Sequence, residues 1–89
     1  MTEVTFSGKA EKQVKKLPAN RREILKVLVQ DIINYGPVRG NWPRYSKLST
    51  GEHHCHLGGG RPTYVAKWVV LQKNLVQIVY AGTHENAGY

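Results

Sequence analysis

Hydrophobic positions change their period once along the chain, at Gly36-Pro37. Before that point they recur at helical spacing; after it they alternate as in strands. Glu3–Phe6 reads as a short opening strand. Ser7 is placed as an N-cap, and Ala10, Val14 and Leu17 mark a helix running to about Lys16. Pro18 stops it, because proline's ring and missing N–H do not fit a helix interior. A second helix is predicted from Asn20, with Glu23 three residues on in the arrangement of a capping box. Ile24, Leu28 and Ile32 form its apolar stripe, Leu25, Val29 and Ile33 widen it, and Gly36-Pro37 end it. With about three residues between them, the two helices should form an antiparallel hairpin.

Beyond Pro37 the chain reads as strands. Arg44–Leu48 and His53–Leu57 are short and flank a Ser-Thr-Gly turn. Thr63–Leu71 alternates most clearly, with Tyr64, Ala66, Trp68 and Val70 on one face and Val65, Lys67, Val69 and Leu71 on the other. Lys73-Asn74 turns the chain into Leu75–Ala81, a nearly continuous apolar run suited to the centre of a sheet. Gly82–Tyr89 then leaves the sheet with polar side chains. No repeat interrupts this order, and Gly58-Gly59-Gly60 is too short to separate domains. The expectation is one α+β domain over 1–89: an N-terminal strand and an antiparallel helical hairpin packed on a small, mainly antiparallel sheet.

Charge narrows the partners. Thirteen Lys and Arg against six Asp and Glu give a net charge of +7 and a pI near 9.8. Both halves are basic, so the excess is not an appended tail. A hydrophobic share of 40% is enough to fold and excludes a disordered basic segment. One Cys excludes an internal disulfide and fits a reducing compartment. No apolar run is long enough to cross a bilayer, and Met1–Phe6 lacks the features of a signal peptide. These features predict a cytoplasmic protein, away from membranes, with a polyanion or an acidic protein as partner.

Candidate chemistry starts at His53-His54-Cys55-His56. Imidazole and thiolate are common zinc ligands, but strand alternation sends His53 and Cys55 to one face and His54 and His56 to the other. Four ligands cannot converge, so neither a metal nor any other cofactor is expected. Cys55 fits the core as a small hydrophobe. One His pair then lines a surface, either as solvated strand residues or as groups for proton transfer and phosphate contact. Gly58-Gly59-Gly60-Arg61 is followed by a strand rather than a helix, so it reads as a flexible hairpin turn and not a Walker loop. Arg61 is kept as a cation at the edge of a site. Lys9, Lys12, Lys15 and Lys16 read as a solvated helix face.

Carboxylates are scarce where basic and aromatic groups abound. Val38–Tyr89 holds only Glu52 and Glu85, and Asp31, the sole Asp, lies in the second helix. Two-metal, glycosidase and Ser-His-Asp mechanisms therefore lack their acids. His54, His56, Arg61 and His84, with Arg44, Lys47 and Lys67, suit metal-free RNA cleavage. They suit RNA binding equally well. Composition does not separate the two.

The order of elements, with Lys47-Leu48, the strand–Gly turn–strand of His53–Trp68 and the ending Tyr80-Ala-Gly-Thr-His-Glu-Asn-Ala-Gly-Tyr89, resembles the RelE/ParE superfamily of bacterial toxins. The resemblance covers nearly the whole chain. It implies a ribosome-dependent mRNA endonuclease that represses translation, has ribosomal and messenger RNA as partners, and is held inactive by a cognate antitoxin. An acidic or amphipathic antitoxin segment suits the basic surface, and no homo-oligomer is required. The resemblance also implies a catalytic cation at His84, a stacking or activating Tyr at Tyr89, and two basic residues at His54 and His56. Both of the latter are His here. An Arg is expected where Val65 stands, with Arg61 or Lys67 as substitutes. The extra C-terminal helix of some members has no counterpart after Tyr89. ParE-like members inhibit DNA gyrase, and a non-catalytic module binding antitoxin or nucleic acid is a third reading; His84 with Tyr89 favours the nuclease branch.

Overall fold

The computed structural model describes residues 1–87. The element order is β1 (Glu3–Phe6), α1 (Gly8–Lys15), α2 (Ala19–Tyr35), β2 (Ser46–Ser49), β3 (Glu52–His56), β4 (Tyr64–Gln72), β5 (Leu75–Thr83) and a 3-10 turn at His84–Asn86. The strands form one sheet in the order β1-β5-β4-β3-β2. Only β1 against β5 is parallel; the other pairings are antiparallel. The apolar strand β5 is flanked on both sides, as its composition predicts. This is the expected α+β fold.

Both helices cover the same sheet face. Ser7 caps α1, its Oγ accepting from the Ala10 N–H at 3.1 Å. The start of α2 differs from expectation: Pro18 takes the N-cap and Ala19 the first turn, without a side-chain cap. Proline suits that position because the first helical N–H groups have no intrahelical partner anyway. Asn20 is thus already inside the helix, and Glu23 pairs with Lys26 instead of closing a capping box. The stripe is rotated slightly as well. Leu25, Leu28 and Ile32 are buried, whereas Ile24 and Val29 flank them half-buried.

These side chains meet Cys55, Ala66, Trp68, Val76, Ile78 and Ala81 in one core. Trp68 is fully buried and its Nε1 donates to the Pro37 carbonyl at 3.0 Å, tying the loop after α2 to the sheet. Trp42 Nε1 donates to Asp31 Oδ2 at 2.9 Å and anchors the same loop from the helix side. The expected strand from Arg44 begins later, at Ser46, because Arg44 has φ +53° and a left-handed backbone that cannot continue a ladder.

One irregularity decides which side chains reach which face. In β5, Lys67 pairs with Tyr80 but Trp68 pairs with Ile78, so Val79 is an extra residue. Such a bulge reverses the alternation of the strand. Val76 and Ile78 face the helices; Tyr80, which strict alternation would send to that side, faces away.

A histidine cluster on the open face of the sheet

The face away from the helices is built in rows by the strand register. Ser46, His54, Lys67 and Tyr80 lie across four strands in one row, and His56, Val65 and Gly82 form the next. Strand rise puts His54 and His56 about 6.5 Å apart along β3. The last turn folds back onto this face: Val65, Tyr80 and Ala87 make a small second apolar cluster, and Lys67 Nζ donates to the Ala87 carbonyl at 3.1 Å. The His84 N–H is bonded to the Thr63 carbonyl at 2.8 Å. Its ring then meets His56 edge-on, with centroids 5.7 Å apart.

Three imidazoles thus share one surface with Lys67, and Arg44 lies close enough to act electrostatically on His56. Burial pushes the His56 pKa below the ordinary 6.5, and His84, His54 and Arg44 push in the same direction. Such a ring is neutral near pH 7 and can take a proton. His54 is buried, with Nδ1 3.3 Å from the Ser46 carbonyl and 3.1 Å from Ser46 Oγ.

The other face of β3 confirms the alternation. His53 is 2% exposed and stacks on Trp68 at 5.9 Å and Tyr45 at 5.8 Å, with its Nδ1 2.6 Å from the Tyr45 hydroxyl. Burial and then Lys47 lower its pKa. Cys55 is buried in the core, which pushes its thiol up to about 12 and makes it a poor nucleophile. Lys47 pairs with His53 and therefore belongs to this side of the edge strand, apart from His54, His56 and His84. Arg61 is exposed in the loop after β3. Val65, where the resemblance implies Arg, is fully buried as part of the seat for the last turn. Tyr89 lies outside the described residues.

Arg21 is the residue that sequence reasoning missed. From α2 it donates to the carbonyls of Leu57 (2.9 Å) and Gly59, and its guanidinium lies 5.9 Å from the Tyr64 ring centre. The Gly58-Gly59-Gly60 turn is wrapped around it. A Cβ on Gly58 would come within 2.5 Å of Arg21 Nη1, and Gly58 and Gly60 both have positive φ. The turn is a clasped one, which the bare glycine run did not reveal.

No protein-family model matches the chain, and no curated protein does. Solved structures do. The isolated E. coli RelE toxin aligns with 99% of this chain and 89% of its own at a TM-score of 0.71 and 19% identity. A chain of the E. coli DinJ-YafQ complex aligns over 100% of both at 0.74 and 20% identity. A chain of the archaeal RelE-RelB complex from Pyrococcus horikoshii covers 97% of this chain and 98% of its own at 0.65 and 19% identity. The chain has the RelE toxin fold. The candidate site residues divide: His54, His56, His84, Lys67 and Arg44 lie on or beside the open face, Lys47 belongs to the other side of the sheet, and Arg61 is exposed in the loop after β3.

Proposed function

We propose that this protein is the toxin of a toxin–antitoxin pair and cleaves mRNA on the ribosome, in the cytoplasm, by metal-free acid–base catalysis. The observation that carries the reading is the meeting of His54, His56 and His84 on a basic face. In this mechanism a neutral imidazole, His56 by its lowered pKa, removes the proton of the 2′-hydroxyl. The 2′-oxygen bonds to the adjacent phosphorus, the bond to the 5′-oxygen breaks, and His84 donates a proton to that leaving oxygen. The products are a 2′,3′-cyclic phosphate and a 5′-hydroxyl. Lys67 and Arg44 neutralise charge on the phosphorane, and Arg61 is assigned as a further cation at the edge of the site. Tyr89 is assigned stacking on a base or activation of the 2′-hydroxyl, on the resemblance alone.

The partner is an antitoxin, as in the E. coli RelBE and DinJ-YafQ complexes that share this fold. Single-turnover cleavage on programmed ribosomes, with ribosome binding measured in parallel, tests the reading. Codon-positioned breaks that disappear in His84→Ala while binding persists support it. Blocked gyrase supercoiling with intact mRNA would replace it by the gyrase reading, and neither effect by a binding module.

A further inference from the structure

A cleft of about 440 Å³ opens between α1 and the edge of β5. Its place follows from the topology. β1 pairs with β5 only from Leu75 to Ile78, so the end of β5 beyond Ile78 is flanked by a helix instead of a strand. Gln13 Oε1 accepts from the Ala81 N–H at 3.0 Å and holds α1 against that edge. Lys9, Gln13 and Lys16 stand at helical i, i+4 and i+7 and line the cleft together. All four lysines of α1 and its C-cap are exposed, but Lys12 and Lys15 do not line it. The opposite wall includes Tyr64, Thr83 and Asn86, and among the described residues no carboxylate lines the space.

We propose that this cleft is a second nucleotide subsite for RNA, next to the scissile bond. Lys9 and Lys16 take a flanking phosphate, and Tyr64 with Leu17 offers an apolar wall to its base. The proposal rests on the reading of the open face as an RNA-cleaving site. Continuity supports the link: Thr83 and Asn86 line the cleft, while His84, between them in the chain, meets His56 on the open face. A strand laid across this turn reaches both. The mixed lining also selects the ligand class. An apolar ligand would leave two ammonium groups unmatched, and a bare anion would leave the Tyr64 and Leu17 wall unused.

The test measures affinity of the free protein for an uncleavable 2′-O-methyl hexaribonucleotide, so cleavage is not the readout. Lys9→Ala/Lys16→Ala should weaken binding by roughly tenfold and flatten the salt dependence by roughly 0.7 in log–log slope. Lys12→Ala/Lys15→Ala removes the same charge from outside the cleft and should change affinity by less than about threefold. Equal losses for both pairs would mean diffuse charge only and overturn the subsite, as would no binding by the wild type. Inorganic pyrophosphate showing the same tenfold difference at equal affinity would overturn the nucleotide assignment. If ribosome-bound mRNA is not cut but the hexanucleotide still discriminates the two lysine pairs, the subsite stands and the catalytic reading falls.

Discussion

The two faces of one sheet use the same strands for opposite purposes. On β3, His53 and Cys55 point into the core beneath the helices, and His54 and His56 point to the open side. On β4, Ala66 and Trp68 are core while Val65 and Lys67 seat the last turn. A histidine on the covered face is held by stacking and a phenol and is kept from charging by burial. On the open face the His56 pKa is lowered first by burial and then by His84, His54 and Arg44 beside it. Burial and chemistry are thus separated by a single residue step along the strand.

That division is broken most forcefully from the covered side. Trp68→Ala removes a fully buried indole and its hydrogen bond to Pro37, and should cost about 3–5 kcal/mol. Leu28→Ala, also fully buried, should cost about 2–5 kcal/mol. Both are read from the urea midpoint. An unchanged midpoint for Leu28→Ala would mean that the α2 stripe does not carry the core.

On the open side the loss should fall on rate instead. His84→Ala is expected to reduce single-turnover cleavage by about 10²-fold or more, with a shift in urea midpoint well below that of Leu28→Ala. His56→Ala should act similarly. A fall in stability matching the core variants, with cleavage preserved, would make both faces structural.

Much of this division is legible in the sequence. Alternation alone separates His54 and His56 from His53 and Cys55, and the strand and helix periods give the α+β architecture. What is not legible depends on contacts between distant segments. The bulge at Val79 moves Tyr80 to the open face, yet the run Leu75–Ala81 is apolar apart from Gln77 and carries no mark of it. The return of His84 onto His56 needs Val65 and Ala87 to meet, across more than twenty residues. Arg21 looks like any exposed helix cation until its partners, the carbonyls of a glycine turn, are in place. The Asn20 cap failed because Pro18 competes for the same end of the helix and takes it.

Acid should affect both faces in the same direction. His53 and His56 each have a lowered pKa, chiefly from burial. Below pH 6.5 the unfolded chain takes up protons at these rings while the folded chain still resists them, so stability falls as pH drops. Above pH 6.5 both states hold the rings neutral and the full stability is present. Urea midpoints between pH 7.5 and 5 should therefore decline, and His53→Gln should flatten part of the slope. A slope unchanged by both His53→Gln and His56→Gln would place its origin in other groups.

The smallest expected effect gives the sharpest view of how the open face is assembled. The last turn is held by the Val65–Tyr80–Ala87 contact and by the bond from Lys67 Nζ to the Ala87 carbonyl. Lys67→Met keeps the aliphatic stem and loses the donor, and Lys67 is only half-buried, so the loss belongs at the low end for a hydrogen bond, about 0.5–1 kcal/mol. It should appear locally, because the turn can lift without opening the helix-covered core. Amide exchange at residues 84–87 should speed up by roughly 2- to 5-fold while core amides in β4 and β5 keep their rates. If the core amides accelerate equally, the turn and the core open as one unit, and the two faces are not independent. If only the turn responds, His84 is delivered to His56 by a latch of its own, and the open face can be tuned without cost to the core.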